Sequence, residues 1–214
     1  MIGIIDYGAG NLKSVQNALG LIGAEWRMAA TPADFEKVDG LILPGVGSFG
    51  SAMEQLNQGG LSEPIRRWSA DGRPLLGICL GLQLLFEESE ESPGVKGLGV
   101  FSGAFRRFPE DMGLKIPHIG WNRLEVIKSD GIFKYLPADS YCYFVHSFYL
   151  DAQTTHVAAL SDYGLPFGAA VEKGCTAACQ FHPEKSGETG LSILRRFAEI
   201  CMEQGSQRKE ESQC

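Results

Sequence analysis

Short apolar runs alternate along this chain with stretches of helical periodicity, and this alternation constrains the fold more than any other feature. Residues 74–78 are apolar throughout, as expected of a strand that is buried on both faces of a sheet. Leu12, Val15 and Leu19 recur at helical spacing after a first predicted strand at residues 1–6. The pattern predicts an α/β fold in which helices cover both sides of a mostly parallel sheet, with additional strands in the second half of the chain.

A single domain is expected, because 214 residues suit one large α/β unit and neither a repeat nor a linker interrupts the pattern. We place this domain at residues 1–204. The predicted strands cover residues 1–6, 25–29, 40–43, 74–78, 141–145, 156–160, 167–172 and 176–181. The predicted helices cover residues 12–22, a short stretch after 31, the regions around 53–56 and 65–68, and residues 80–88 and 190–201. Residues 205–214 have no apolar face and are expected to form a polar, disordered tail.

The charge of the chain argues against nucleic acids and membranes as partners. Its 19 basic and 26 acidic residues give a net charge of −7, and an acidic surface repels phosphate backbones and anionic lipids. The first residues have a strand-like pattern instead of a charged leader with a cleavage site, and no apolar run is long enough to cross a bilayer. We therefore expect a cytoplasmic protein that binds neither nucleic acid nor membrane.

Five of the six cysteines are scattered among apolar segments of a chain without a secretory signal: Cys79, Cys142, Cys175, Cys179 and Cys201. They are therefore interpreted as free and mostly buried thiols. Cys175 and Cys179 are separated by three residues, and no matching pair of Cys or His lies nearby in the sequence. No metal site is predicted for this reason.

The first chemical signal is Gly-Ile-Cys-Leu-Gly at residues 77–81, where the buried strand is expected to meet a helix. A sharp strand-to-helix turn with small residues on both sides exposes its central side chain, as in the Gly-x-Ser-x-Gly motif of α/β-hydrolases. Cys79 would then lie at a helix N-terminus, which favours a thiolate, and the N–H of Leu80 would face a developing oxyanion. The motif alone fits a buried thiol in a glycine-lined turn equally well.

The second signal is Gln-Phe-His-Pro-Glu at residues 180–184, which follows a predicted strand. Residues two apart in an extended segment project to the same side, so His182 and Glu184 can face one site. Pro183 is expected to hold the backbone extended. His182 therefore suits a general base oriented by Glu184, and together with Cys79 this pair is typical of a nucleophilic triad. The other histidines are interpreted as hydrogen-bonded core or loop residues: His118, His146 and His156.

The third signal is Pro-Gly-Val-Gly at residues 44–47, after another predicted strand. Ligands bind at these strand ends in parallel α/β sheets, and the backbone N–H groups of a loop with little side-chain bulk can approach negative charge. By itself the loop is an ordinary strand-to-helix connection. It is not a phosphate loop, since the downstream Gly-Lys-Ser/Thr is missing.

Together the three motifs resemble those of class-I, triad-type glutamine amidotransferases, and they span almost the whole chain. The resemblance implies a flavodoxin-like three-layer α/β sandwich that hydrolyses L-glutamine to glutamate and ammonia without a cofactor. It also implies that Cys79 is the nucleophile, His182 the general acid and base, and Glu184 the residue that orients it. The positions that match the oxyanion side are Val46, Gly47 and Leu80. The positions that match glutamine binding are Gln83, Glu91 and the main chain around Ser147.

Within this family, the motifs at residues 5–11, 118–122, 143–147 and 180–186 are similar to those of the glutaminase subunits of imidazole glycerol phosphate synthases. This resemblance implies a (β/α)8-barrel cyclase partner that uses the ammonia in histidine biosynthesis to make imidazole glycerol phosphate and aminoimidazole carboxamide ribotide. It also implies four residues at the interface and ammonia gate: Asn11, Trp121, Tyr143 and Lys185.

Other functions remain open at this point. All triad-type glutaminases share the Cys-His-Glu pattern, so the partner could instead be a pyridoxal phosphate, anthranilate, aminodeoxychorismate, carbamoyl phosphate or guanylate synthase. A cysteine peptidase or thiol hydrolase of similar topology is a rival from another enzyme class. A non-catalytic interaction subunit is a third alternative, against which the intact Cys, His and Glu argue.

Overall fold

The structure is a computed structural model that describes residues 1–8, 11–128, 131–134 and 136–211. Strands and helices alternate in the first half of the chain, and strands predominate in the second. The strands are β1 (Ile2–Ile5), β2 (Trp26–Ala29), β3 (Gly40–Gly45), β4 (Leu75–Cys79), β5 (Glu88–Ser89), β6 (Ala104–Arg107), β7 (His118–Arg123), β8 (Glu125–Val126), β9 (Tyr141–His146), β10 (Phe148–Asp151), β11 (Val157–Asp162), β12 (Pro166–Lys173) and β13 (Thr176–Cys179). The helices are α1 (Leu12–Leu21), α2 (Pro32–Phe35), α3 (Phe49–Gln58), α4 (Ser62–Ala70), α5 (Leu80–Leu84) and α6 (Gly187–Glu211).

The main sheet contains a parallel block in the order β2-β1-β3-β4-β13, which is the strand order of flavodoxin-like folds. From β13 the sheet continues through the antiparallel strands β12, β10 and β6 and ends at β5, while β11 joins β12 to β8. The predicted α/β class, the mostly parallel sheet and the additional strands of the second half are therefore confirmed. The carboxyl ends of β3, β4 and β13 lie side by side, and residues that follow them share one edge.

The parallel strands are buried because helices cover both of their faces. Leu76 and Ile78 of β4 pack with α1 and α6, whereas Leu75 packs on the opposite face with α3 and α4. Burying one such side chain stabilises the fold by roughly 1.5–3 kcal/mol. The two apolar clusters account for the continuous apolar run at residues 74–78.

Helix α5 is shorter than predicted, ending at Leu84 where the sequence suggested residue 88. The carbonyls that would continue the helix accept hydrogen bonds from a later segment instead. Leu98 N–H donates to the Leu84 carbonyl at 2.8 Å, and Val100 N–H donates to the Leu85 carbonyl at 2.8 Å. Since these partners lie far along the chain, helical periodicity alone did not reveal the end of the helix.

Helix α6 extends the predicted helix at both ends and covers residues 205–211 of the predicted tail. A Cβ at Gly205 would lie 2.5 Å from Asp39 Oδ1, so the helix backbone packs closely on the end of the sheet there. Residues 212–214 lie outside the described part of the chain. The division of the chain at residue 204 stays a prediction.

A separate two-stranded ribbon, β7 paired antiparallel with β9, was only half predicted. Its first strand was missed because His-Ile-Gly-Trp-Asn-Arg contains no apolar run. One face of β7 is turned inward and carries His118, whereas the other exposes Ile119 and Trp121, whose exposed fractions are 59% and 56%.

The described cysteines are free thiols and most are buried, as predicted: Cys79, Cys142, Cys175, Cys179 and Cys201. Cys214 lies outside the described residues. Among the helices that the structure describes, none combines the length and the apolar character needed to cross a membrane.

Candidate active site

The junction between β4 and α5 places Cys79 in a strained backbone conformation, with φ of 55° and ψ of −110°. Such a conformation is costly for a non-glycine residue and is typical of functional sites. Glycines two residues before and after it permit the turn. A Cβ at Gly77 would lie 2.9 Å from Leu85 Cδ1, and a Cβ at Gly81 would lie 1.9 Å from the Leu43 carbonyl oxygen. The sharp strand-to-helix turn predicted at residues 77–81 is therefore present, for the steric reason that the motif suggested.

The end of β13 brings His182 beside this elbow. His182 is extended, and its Nδ1 lies 2.7 Å from Glu184 Oε1, with both side chains buried. The prediction that Pro183 holds the backbone extended was wrong: Pro183 begins a 3-10 turn at Pro183–Lys185. Since the carboxylate can only accept, Nδ1 carries the hydrogen and Nε2 remains for proton exchange.

The surroundings of His182 favour its charged form. Burial disfavours the imidazolium, but hydrogen bonds and charge interactions with Cys79 and Glu184 outweigh burial and raise the pKa of His182 to about 9. The group is therefore protonated at neutral pH and available as a proton donor. Because the folded pKa exceeds the unfolded value of about 6.5, its contribution to stability is complete below pH 6.5 and is lost as pH rises through 9.

Replacing Glu184 with glutamine tests this electrostatic role. We expect the pKa of His182 to fall towards or below its ordinary value, because burial then acts without the carboxylate. Turnover of the enzyme should fall by roughly 10²–10⁴-fold, the range for loss of positioned acid–base catalysis. NMR titration of the His182 ring and steady-state kinetics measure the two effects. Glu188→Gln, which removes an exposed carboxylate paired with Arg195, is the matched control and should change neither.

One cavity of about 350 Å³ contains Cys79 and His182 in its wall. The sequence-predicted oxyanion and substrate-binding residues line the same cavity: Val46, Gly47, Leu80, Gln83, Glu91 and Ser147. Segments from five separate parts of the chain therefore converge on a single space. No group of three or more His, Cys, Asp or Glu side chains that could hold a metal ion occurs within the described ranges.

The glycine-rich loop is held at both of its ends. The hydroxyl of Tyr7 donates to the Pro44 carbonyl at 3.0 Å, and Phe49 N–H donates to Glu91 Oε2 at 2.7 Å. Between these anchors, Gly47 has φ of 96°, which only glycine adopts without strain, and Val46 is 42% exposed. Sequence reasoning missed Tyr7, because no local pattern links it to a loop 37 residues later.

Gln180 is a second residue that sequence reasoning left without a role. It is fully buried, accepts a hydrogen bond from Gln83 Nε2 at 3.1 Å, and places its own Nε2 3.7 Å from Cys79 Sγ. Gln180 stands two residues before His182 and in phase with it, but its partners Gln83 and Cys79 lie far away in the sequence, so no local pattern assigned it.

Three of the four residues expected at an interface lie together at the ribbon: Trp121, Tyr143 and Lys185. Trp121 and Tyr143 pair across β7 and β9 with ring centroids 6.3 Å apart, and Lys185 Nζ lies 5.8 Å from the Tyr143 ring. Asn11 immediately precedes α1, which packs against the turn that carries Lys185. Trp121, Tyr143 and Lys185 thus form an aromatic and cationic group next to His182, whose N–H donates to the Tyr143 carbonyl at 2.9 Å.

Comparisons with known proteins all lead to glutamine amidotransferases. The family model described as glutamine amidotransferase class-I matches residues 3–201. A Methanothermobacter thermautotrophicus protein named imidazole glycerol phosphate synthase subunit HisH is 50% identical over 200 residues, covering 94% of this chain and 98% of that one. The Arabidopsis thaliana protein named imidazole glycerol phosphate synthase hisHF, chloroplastic, is 46% identical over 200 residues, covering 92% of this chain and 34% of its own length.

Solved structures show the same fold at low sequence identity. A crystal structure of a glutamine amidotransferase superposes with a TM-score of 0.73 at 22% identity, covering 94% of this chain and 98% of that one. The structure of PurLQS from Thermotoga maritima gives a TM-score of 0.68 at 19% identity, covering 92% of this chain and 97% of that one. At these identities the similarity concerns the fold alone.

Proposed function

The chain belongs to the class-I glutamine amidotransferase family, and on this premise we propose that Cys79, His182 and Glu184 form the triad with which it hydrolyses L-glutamine. The observation that carries the proposal is the convergence of a strained cysteine and a carboxylate-bound histidine on one cavity. A buried cysteine without a catalytic role would not require the positive φ of Cys79 or a charged histidine beside it.

The geometry supports a two-step acyl transfer. The Cys79 thiolate attacks the side-chain carbonyl of glutamine, and the N–H of Leu80 with those of Val46 and Gly47 stabilises the oxyanion. Protonated His182 gives its proton to the departing nitrogen, so that ammonia leaves and a glutamyl thioester remains. His182 then takes a proton from water, which attacks the thioester and releases glutamate and the thiolate.

The polar groups of the cavity suit the α-amino and carboxylate groups of an amino acid. We assign Gln83, Glu91 and the main chain at Ser147 to this end of the substrate. Glu91 provides negative charge opposite an ammonium group, while one of its oxygens is already engaged by Phe49 N–H. A peptide substrate would need an open groove, whereas this space of about 350 Å³ suits a single amino acid.

We further propose that this enzyme is the glutaminase subunit of an imidazole glycerol phosphate synthase and passes ammonia to a (β/α)8-barrel cyclase subunit in the cytoplasm. Relatives of this name are 42–50% identical along nearly their whole length, which supports the histidine pathway over other synthases. We place the partner on the ribbon surface formed by Asn11, Trp121, Tyr143 and Lys185. Exposed aromatic residues are typical of interface anchors.

Co-purification followed by a glutaminase assay tests the proposal. We expect the chain to bind the cyclase subunit and to hydrolyse glutamine slowly alone. Addition of the cyclase and its nucleotide substrate should accelerate hydrolysis, because the exposed Val46–Gly47 peptide can then be aimed at the oxyanion. Equal rates with and without the partner would contradict the gating, and selective binding of another synthase subunit would reassign the pathway.

A further inference from the structure

Two buried histidines, His118 and His146, form a hydrogen-bonded pair that the proposed mechanism does not use. They face each other across β7 and β9, with His118 Nδ1 3.0 Å from His146 Nε2. His146 Nδ1 lies 2.8 Å from the Phe148 carbonyl oxygen. Only 3% of His118 and 6% of His146 is exposed.

These contacts fix the tautomer of each ring. A carbonyl oxygen only accepts, so His146 Nδ1 is the donor to Phe148 and its Nε2 is the acceptor. His118 Nδ1 must therefore be the donor within the pair, and its Nε2 accepts from Asn122 Nδ2 at 3.4 Å. The orientation of the Asn122 amide is itself fixed, because Nδ2 donates to the Asp162 carbonyl at 2.7 Å and Oδ1 accepts from Arg123 N–H.

Both rings are neutral, which keeps this pattern of donors and acceptors intact. Burial lowers the pKa of His118 to about 4, and burial is also the main cause that lowers the pKa of His146 to about 3. Each ring nitrogen of the pair has a partner. A buried polar network with all partners in place specifies one geometry, whereas apolar side chains would fill the same space without a preferred hydrogen-bond direction.

The pair ends at the wall of the catalytic cavity. His146, Ser147 and Phe148 line this cavity beside Cys79, whose Sγ lies 3.9 Å from the Val145 carbonyl oxygen. The Ser147 carbonyl accepts from Phe108 N–H at 3.1 Å, and the next carbonyl, that of Phe148, accepts from His146. The chain direction at Ser147 therefore depends on two hydrogen bonds, one of which requires the correct tautomer of His146.

We infer that His118 is a positioning residue for substrate binding. By donating a hydrogen bond to His146, it fixes the ring that donates to the Phe148 carbonyl. This ring in turn holds the main chain at Ser147, which receives the amino acid. This inference rests on the proposed function, because it takes the cavity to be the glutamine site. The tautomer that it assigns to His146 does not depend on that function. Loss of the donor frees His146 to place its hydrogen on Nε2, which leaves an acceptor facing the Phe148 carbonyl.

The test uses two variants of nearly equal size in complex with the cyclase subunit. His118→Asn keeps an N–H donor near the position of Nδ1, whereas His118→Leu removes it. We expect His118→Leu to raise KM for glutamine about tenfold, the cost of one misdirected buried hydrogen bond, with little change in kcat. His118→Asn should stay within about threefold of the wild type for the same reason. If His118 had a merely structural role, both variants would show a lower kcat and a higher KM. That result would overturn the inference.

A spectroscopic measurement is independent of activity, and its wild-type arm does not depend on how well the variants fold. ¹⁵N NMR of His146 should show hydrogen on Nδ1 alone in the wild type, and a mixture of both forms in His118→Leu. Hydrogen on Nε2 of His146 in the wild type would refute the inference. A wild-type complex that releases no ammonia from glutamine would instead contradict the proposed function, while this tautomer still decides the positioning role.

Discussion

Cys79→Ala is expected to abolish the release of ammonia from glutamine, with a loss of roughly 10⁶-fold, as when the nucleophile of a catalytic triad is removed. Among the described cysteines, Cys79 alone lines the cavity, since Cys142 and Cys179 are buried elsewhere with raised pKa values. A coupled assay for glutamate and ammonia, with the cyclase partner present, measures the effect.

The same variant should still support the partner when ammonia is supplied directly, because the ribbon surface and the sheet are unaltered. Cys175→Ala, which removes a half-buried thiol outside the cavity, is the matched control and should leave turnover unchanged. Glutaminase activity retained in Cys79→Ala would show that the reaction takes place elsewhere. Loss of ammonia-dependent synthesis as well would show that the substitution had damaged the assembly instead of the chemistry.

Gly81→Ala is expected to destabilise the protein by more than about 3 kcal/mol, at or beyond the upper end for overpacking in a core. The new Cβ would lie 1.9 Å from the Leu43 carbonyl oxygen and 3.0 Å from the Leu43 carbonyl carbon. Since both are backbone atoms of a central strand, no side-chain rotation relieves the contact, and α5 must move away from β3. That movement also displaces Cys79 from the cavity, so activity should fall with stability.

The matched control is Gly20→Ala near the end of α1. A Cβ there meets nothing within 4 Å, and the backbone conformation is accessible to alanine. This variant should gain about 0.5–1 kcal/mol, because alanine loses less conformational freedom than glycine in a helix. Urea unfolding of both variants gives the comparison. Similar stabilities for the two would mean that the elbow tolerates a side chain and that the tight contact with Leu43 is not required.

The grouping of Cys79, His182 and Glu184 was predictable because each of the three has a local signature. Glycines on both sides of Cys79 reflect a steric need of the turn, and the spacing of His182 and Glu184 places the two side chains within reach of each other. Two residues of the site were not predictable in the same way. Tyr7 anchors Pro44, and Gln180 links Gln83 to Cys79, through hydrogen bonds whose partners are distant in sequence.

The sequence by itself determined the α/β class, the sharp strand-to-helix turn at Cys79 and the residue types of the proposed catalytic groups. These depend on side-chain periodicity and on backbone sterics within a few residues. Only the tertiary structure decided that β13 lies beside β4, with Cys179 opposite Ile78, which brings His182 to Cys79. It also decided where α5 ends and that His118 pairs with His146. Register between distant strands sets these contacts, and it results from how whole elements pack, which no local pattern encodes.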